Sequence, residues 1–315
     1  MSVPTPIVLD CDPGHDDAIA LLLALASPEL ELLGVTTTYG NQTLEKTTAN
    51  AVRVLDLAGR QDVPVVAGAD RPLVRALHVA AHVHGESGLD GPALPPPGRP
   101  PSGSDAVTFL RERVAASPRP VVLVPTGPLT NVARLLDETG GENVARIILM
   151  GGSIGEGNMT PAAEFNIWAD PEAAQRVFHA GLQVTMVGLD VTHKAVLRPD
   201  VADRLRAGGP IGAFVAELVD FFSVYHRDTY GWDGAPIHDA VAVAQVIRPG
   251  LVETRQRNVE VELVSELCRG RTVVDLWRRT DRQPNVDVAV DLDTDAFFEL
   301  LVERIAALDR AAPER

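Results

Sequence analysis

Short apolar runs alternate with helical patterns through the first half of this chain, and that alternation restricts its fold more than any other feature. Pro6-Ile7-Val8-Leu9-Asp10-Cys11 has the continuous apolar character of a strand buried on both faces. A helical pattern runs from His15 to Ala26 and closes at Ser27-Pro28. Leu32 to Thr37 is a second strand, rich in β-branched residues, and a helix from Asn41 to Ala58 stops at Gly59. The alternation continues with a helix near 104–116, a strand at 121–124, a helix at 129–136 and a strand at 147–150. A helix at 173–180 and a strand at 183–188 follow. This β-α-β-α order predicts an α/β fold, with a mostly parallel central sheet flanked by helices. Residues 69–103 break the pattern with Gly, Pro and His, and so long a structureless stretch is either functional or mobile. Further on, helices are expected near 212–228, 236–247 and 294–308, and strands at 257–264, 271–277 and 286–290. No linker and no internal repeat interrupts the chain, so residues 1–315 are expected to form a single domain.

The net charge of −15 argues against a nucleic-acid partner, because a phosphate backbone would be repelled. It does not exclude a neutral small molecule. No stretch reaches the roughly 18 uninterrupted apolar residues of a membrane span. The two cysteines, Cys11 and Cys268, are too few for a disulfide framework and point to a reducing compartment, so a cytoplasmic place is expected. Cys11 reads as a small buried hydrophobe rather than a reactive thiol.

Asp10-Cys11-Asp12-Pro13-Gly14-His15-Asp16-Asp17 crowds four carboxylates onto the end of the first strand. Open α/β sheets bind ligands at the carboxyl ends of their strands. Helix N-terminal NH groups relieve carboxylate repulsion by only about 0.3–1 kcal/mol per charge. A divalent cation relieves far more, and ligation by oxygen alone selects Ca²⁺ or Mg²⁺ over zinc. One aspartate here would simply cap the helix, but four in eight residues make that explanation insufficient.

These residues carry a resemblance. Asp10-x-Asp12-Pro13-Gly14-x-Asp16-Asp17-Ala18 resembles the N-terminal signature of the inosine-uridine-preferring nucleoside hydrolases. Thr37-Thr38-Tyr39-Gly40-Asn41-Gln42-Thr43 and His84-Gly85-Glu86-Ser87-Gly88-Leu89-Asp90-Gly91 resemble that family's next two blocks. Pro125-Thr126-Gly127-Pro128-Leu129-Thr130-Asn131, Met150-Gly151-Gly152, Gly157-Asn158 with Ala163-Glu164-Phe165-Asn166, and Ile237-His238-Asp239-Ala240 follow in order. Any one block is weakly specific; their order over nearly the whole chain is not. The resemblance implies a Rossmann-like nucleoside hydrolase fold. The activity it implies is Ca²⁺-dependent hydrolysis of the N-glycosidic bond of ribonucleosides to free base and ribose. A homodimer or homotetramer is also implied.

It also implies a division of labour. Asp12, Asp17, Asp239 and the backbone carbonyl of Thr126 are expected to bind Ca²⁺, with Asp10 behind them holding the loop. Asp12 is the expected general base toward a cation-bound water. Asp16 and Asn41 resemble the residues on the 2′- and 3′-hydroxyl edge of the ribose. Asn158, Glu164 and Asn166 resemble those around the 5′- and 3′-hydroxyls, and Met150 and Phe165 complete that substrate-facing set. A site built to pair with hydroxyls favours ribonucleosides over deoxyribonucleosides. His238 is the first candidate for contact with the leaving base and His84 the second. His78, His82 and His84 read as a polar loop rather than a metal cluster, and His193 as a structural histidine. Phe222 and His226, four apart on one helix face, are expected to touch the base, with Tyr225, Tyr230 and Trp232 as alternatives. A preference for uridine or cytidine is expected, with inosine also a possible substrate.

Three other classes compete. Asp10-x-Asp12 after an apolar strand also suggests a haloacid-dehalogenase-type phosphohydrolase, but Gly14 departs from that motif and Asp16-Asp17 has no role in it. A non-catalytic nucleoside-binding protein has no need of Asp12 and the full ligand set. A nucleoside phosphorylase needs a phosphate site, which an acidic pocket repels.

Overall fold

The computed structural model describes residues 3–311. The chain begins β1 (Thr5–Cys11), α1 (His15–Leu25), β2 (Leu30–Thr37), α2 (Leu44–Leu57) and β3 (Val65–Ala67). After the irregular stretch, broken only by the single turn α3 (Ala81–His84), come α4 (Ala106–Ala116), β4 (Val121–Pro125), α5 (Thr130–Thr139) and β5 (Val144–Met150). Two short helices, α6 (Phe165–Ala169) and α7 (Pro171–Phe178), lead to β6 (Val184–Val187). Next are α8 (Leu189–Thr192), β7 (Val196–Leu197), α9 (Pro199–Arg206), the long α10 (Pro210–Tyr230), β8 (Ala235–Pro236) and α11 (His238–Ile247). The chain closes with β9 (Val252–Arg257), β10 (Val259–Val261), β11 (Thr272–Val274), β12 (Val286–Leu292) and α12 (Thr294–Ala311).

Eight strands form the main sheet in the order β3-β2-β1-β4-β5-β6-β12-β9. Its pairings are parallel except β12 with β9, which is antiparallel. The side chains of β1 alternate as the pleat requires. Ile7, Leu9 and Cys11 pack with α1, α2, α11 and α12 on one face, and Val8 packs with α4, α5 and α7 on the other. Both faces are therefore covered by helices, and strand interiors read as unbroken apolar runs. Cys11 is fully buried, and its thiol donates to the carbonyl of Thr36. Among the described residues, no helix is long and apolar enough to cross a membrane.

Two expectations are adjusted. The helix expected from Asn41 starts three residues later, at Leu44. Asn41 and Gln42 are drawn out of it by stronger partners: Asn41 N–H donates to Asp12 at 2.7 Å, and the Gln42 amide donates to the Gly85 carbonyl at 2.9 Å. Helix α9 and the edge strand β3 lie where no element was expected; β3 has only three residues, too few to display a period.

The strand order reverses between β1 and β4. Sequence-adjacent connections leave the sheet in opposite directions there, which opens a crevice at the carboxyl ends of both strands. Asp10 of β1 lies in register with Pro125 of β4, so the acidic loop and Thr126 emerge side by side.

Candidate active site

The acidic loop is folded by its own carboxylates. Asp17 Oδ2 accepts the Gly14 N–H at 3.1 Å and the Asn41 amide at 2.8 Å. Its Oδ1 accepts the Thr126 hydroxyl at 2.8 Å and the Asp12 N–H at 3.3 Å. Asp17 thus joins the loops after β1, β2 and β4. Asp10 turns the other way, accepting the Thr36 hydroxyl at 2.6 Å and the Asn131 amide at 2.8 Å. Burial still raises its pKa, to about 6, against those two hydrogen bonds.

Asp12 is fully buried. Its Oδ2 accepts the Asn41 N–H, while its Oδ1 has no hydrogen-bond partner among the described residues. An unpartnered buried carboxylate oxygen is costly. The neighbouring loops make room for it by carrying no side chain at two places. A Cβ on Gly40 would lie 2.0 Å from Asp12 Oδ2, and one on Gly127 would lie 2.5 Å from Oδ1. Only glycine fits at either place.

Asp239 comes from the first turn of α11, more than two hundred residues downstream of the loop. Carboxylate oxygens of Asp16, Asp17 and Asp239 all lie within 4.8 Å of one another, and all three residues are buried. Burial raises every member, Asp16 to about 8 and Asp239 well above its usual range with repulsion from neighbouring carboxylates added, and Asp17 above its usual range against the hydrogen bonds it accepts from Gly14, Thr126 and Asp12. Asp12 is pushed well above its usual range by burial and then by Asp17. Such a set is poorly stable as bare anions, and this group could hold a metal ion. Asp12 stands outside the tight triplet but in electrostatic contact with it.

A pocket of about 710 Å³, including its open mouth, rises above the carboxylates. Of the residues expected to face substrate, Asp16, Asn41, His84, Met150, Asn158, Glu164, Phe165, Asn166, Phe222, His226 and His238 all line it. So do Thr126 and Asp239, while Asp10, Asp12 and Asp17 are buried outside its lining. Glu164 caps α6, accepting from the N–H groups of Gly152, Asn166 and Ile167. Burial nonetheless raises its pKa, to about 7. Asn158 is tied to the same turn through the Phe165 N–H at 2.9 Å. The Asn166 amide donates to the Thr126 carbonyl at 2.7 Å, so the carbonyl expected to bind Ca²⁺ faces this wall.

The opposite wall is built of rings. His238 Nδ1 lies 2.7 Å from the Thr192 hydroxyl. Burial, then His193 and His226, hold His238 well below the usual histidine range, so the ring is neutral. His226 donates from Nδ1 to the Phe222 carbonyl at 2.9 Å, one turn earlier on α10. Tyr225 and Tyr230 also line the pocket. Trp232 does not, and stacks outside on Tyr230 at 4.6 Å.

Two histidines were undervalued from sequence. His193, read as structural, lines the pocket, its ring centroid 5.6 Å from that of His238. His15, read only as a helix start, is fully buried against His84, Phe221 and Phe222. The only cue for His15 was a histidine inside the acidic loop, where periodicity is silent. His78 packs edge-on against Trp168 and joins no metal-holding group among the described residues.

Comparison with known proteins identifies the family. Residues 7–299 match the family model for the inosine-uridine preferring nucleoside hydrolases. The chain is 51% identical over 305 residues to the pyrimidine-specific ribonucleoside hydrolase RihA of Citrobacter koseri, covering 96% of this chain and 98% of that protein. It is 52% identical to the protein of the same name from a Shewanella species, covering 96% of each. Among solved structures, a purine-preferring ribonucleoside hydrolase from Gardnerella vaginalis superimposes with a TM-score of 0.91 at 35% identity, over 98% of this chain and 100% of that one. A plant nucleoside hydrolase gives 0.89 at 34%, over 96% of this chain and 99% of that one. On sequence and on fold, the chain belongs to the inosine-uridine preferring nucleoside hydrolase family.

Proposed function

We propose that this protein is a Ca²⁺-dependent ribonucleoside hydrolase that prefers pyrimidine nucleosides. The observation that carries the reading is the unpartnered Oδ1 of Asp12, buried beside three clustered carboxylates at the switch point of the sheet. The donors are all oxygen, which suits Ca²⁺ and leaves room for water and two ribose hydroxyls. Asp12, Asp17, Asp239 and the Thr126 carbonyl would hold the ion. When bound, it supplies positive charge that orients the sugar and lowers the pKa of a water. Asp12 removes that water's proton as its oxygen bonds to C1′. The C1′–N bond breaks and its electron pair departs with the base. Asp16 and Asn41 hold one hydroxyl edge of the ribose, and Asn158, Glu164 and Asn166 hold the other. The neutral His238 ring meets the base. The names of the RihA relatives support a pyrimidine preference. We place the enzyme in the cytoplasm as a homodimer or homotetramer, on the strength of its two unpaired cysteines and its family.

The test is a reducing-sugar assay in phosphate-free buffer on uridine, cytidine, inosine, adenosine and guanosine. Ribose should appear fastest from uridine or cytidine, stop with a chelator and return with Ca²⁺. A highest kcat/KM on inosine would overturn the pyrimidine preference, and no ribose from any nucleoside would overturn the hydrolase. His238→Ala should lose roughly 10²-fold on uridine but much less on p-nitrophenyl riboside, whose leaving group needs no help. An equal loss on both would remove His238 from leaving-group chemistry.

A further inference from the structure

Asn50 takes no part in the steps above and lies outside the pocket lining, yet it is a fully buried polar residue of α2. Its amide nitrogen donates to the Pro13 carbonyl at 3.1 Å and to the Ser87 carbonyl at 2.8 Å. Its Oδ1 accepts from Arg53 Nη1 at 3.2 Å. Carbonyl oxygens only accept and a guanidinium only donates, so these partners admit one orientation of the amide. Both of its N–H groups are thereby committed to carbonyls on two different loops.

Each of those carbonyls belongs to a segment that the site depends on. The Pro13–Gly14 peptide is gripped at both ends, its carbonyl by Asn50 and its N–H by Asp17 Oδ2 at 3.1 Å. Pro13 has no N–H, so Asp12 and Gly14 supply the loop's backbone donors to the Asp17 carboxylate. A rotation of the 13–14 peptide plane would break both of its bonds and release one oxygen of Asp17. With a glycine on one side of that plane, sterics alone oppose such a rotation weakly. Ser87 belongs to the turn that follows His84. That turn is closed on itself, because Asp90 Oδ1 accepts the Ser87 N–H at 3.0 Å. Asn50 fastens it to the acidic loop, and the approach is close. A Cβ on Gly14 would lie 2.5 Å from His84 Nδ1, and one on Gly88 would lie 3.0 Å from Asn50 Nδ2.

We infer that Asn50 is a positioning residue for the cation site: from α2 it locks the Pro13–Gly14 peptide that orients Asp17, and it binds the His84 turn to the same loop. A primary amide suits the task. A carboxylate has no hydrogen to give and a hydroxyl has one, so neither serves both carbonyls. Groups behind the ligands tune metal affinity by fixing how the ligands point. The role toward Ca²⁺ rests on the reading of the carboxylates as its site; the bridge between the two loops does not.

Three variants of the full-length protein test this. Asn50→Leu keeps the branched shape without a donor, and Asn50→Ser keeps one donor on a smaller side chain. Arg53→Met removes only the contact to Oδ1 and leaves both donated bonds in place. In calorimetric titration with Ca²⁺, Kd should rise roughly 10- to 100-fold in Asn50→Leu, less in Asn50→Ser, and stay within about twofold of wild type in Arg53→Met. Hydrogen exchange followed by mass spectrometry in Ca²⁺ buffer should quicken in peptides covering 12–17 and 84–91 of both Asn50 variants, while peptides of β4 and β5 keep the wild-type rate. An unchanged Kd, or exchange that quickens throughout the protein or within α2 alone, shows a merely structural Asn50 and refutes the proposal. An equal rise of Kd in Arg53→Met assigns the effect to the packing of α2 and overturns the role of the amide. Should Asn50→Leu fail to fold, Asn50→Ser decides by the same two readouts. If the wild type binds no Ca²⁺ and cleaves no nucleoside, the functional reading fails, while exchange in the two segments still decides the bridge.

Discussion

Asp12→Ala lowers kcat on uridine by roughly 10²- to 10⁴-fold, the usual range for a lost general base. The same side chain is expected to hold the cation as well as to take the proton. It is fully buried, one oxygen is held by the Asn41 N–H and the other is unpartnered. Its pKa lies well above the carboxylate range because of burial and Asp17, a state suited to a cation and not to isolation. Asp12→Asn, which keeps the shape, should be nearly as inactive. Stability should move the other way. Removing one of several buried, mutually repelling carboxylates should raise the Tm of the chelated variant above that of chelated wild type, a trade of function against stability. Turnover near wild type in either variant removes Asp12 from the mechanism. A lower Tm in chelator would show that its carboxylate serves the fold.

Chelation has the second large effect, and its sign depends on pH. Without a cation, folding raises the pKa of the clustered carboxyls, that of Asp16 to about 8. The unfolded chain titrates aspartate near 3.9. A carboxyl whose pKa is raised by folding binds more protons folded than unfolded. Its contribution to stability is complete below the unfolded pKa and is lost as pH rises toward the folded value. The Tm of the chelated protein should therefore fall between about pH 4 and pH 8. Ca²⁺ should reverse the fall, adding about 2.7 kcal/mol at a concentration of a hundred times Kd. Its apparent affinity should strengthen with pH, because protons must leave before it binds. A chelated Tm that stayed flat or rose over this range would contradict the carboxylate cluster as the source of instability.

The sheet was legible because each parallel strand is buried on both faces, which makes runs such as Ile147-Ile148-Leu149-Met150 stand out. The switch point was implicit in the same pattern, since four carboxylates at the end of β1 have a physical reason to be there only if a crevice opens beside them. What escaped was governed by contacts distant in sequence. Helix α2 begins late because Asn41 is claimed by Asp12 and Asp17. Helix α6 starts where Glu164 caps the N–H groups of Asn166 and Ile167 while also accepting from the more distant Gly152. The enclosure of His15 depends on Asp90 and Phe222, which lie far along the chain. The gathering of Asp16 with Asp17 and Asp239 is a fact of packing that spacing alone did not disclose.

The close fit of Asp12 between two glycines bears on turnover. A free aspartate side chain samples several rotamers, and a base that must find the right one in each cycle loses rate to the search. Buried between Gly40 and Gly127 and held by the Asn41 N–H, Asp12 gives up most of its rotational entropy when the chain folds. Little remains to be lost as the sugar binds, so arresting the base adds little to the barrier to attack on C1′.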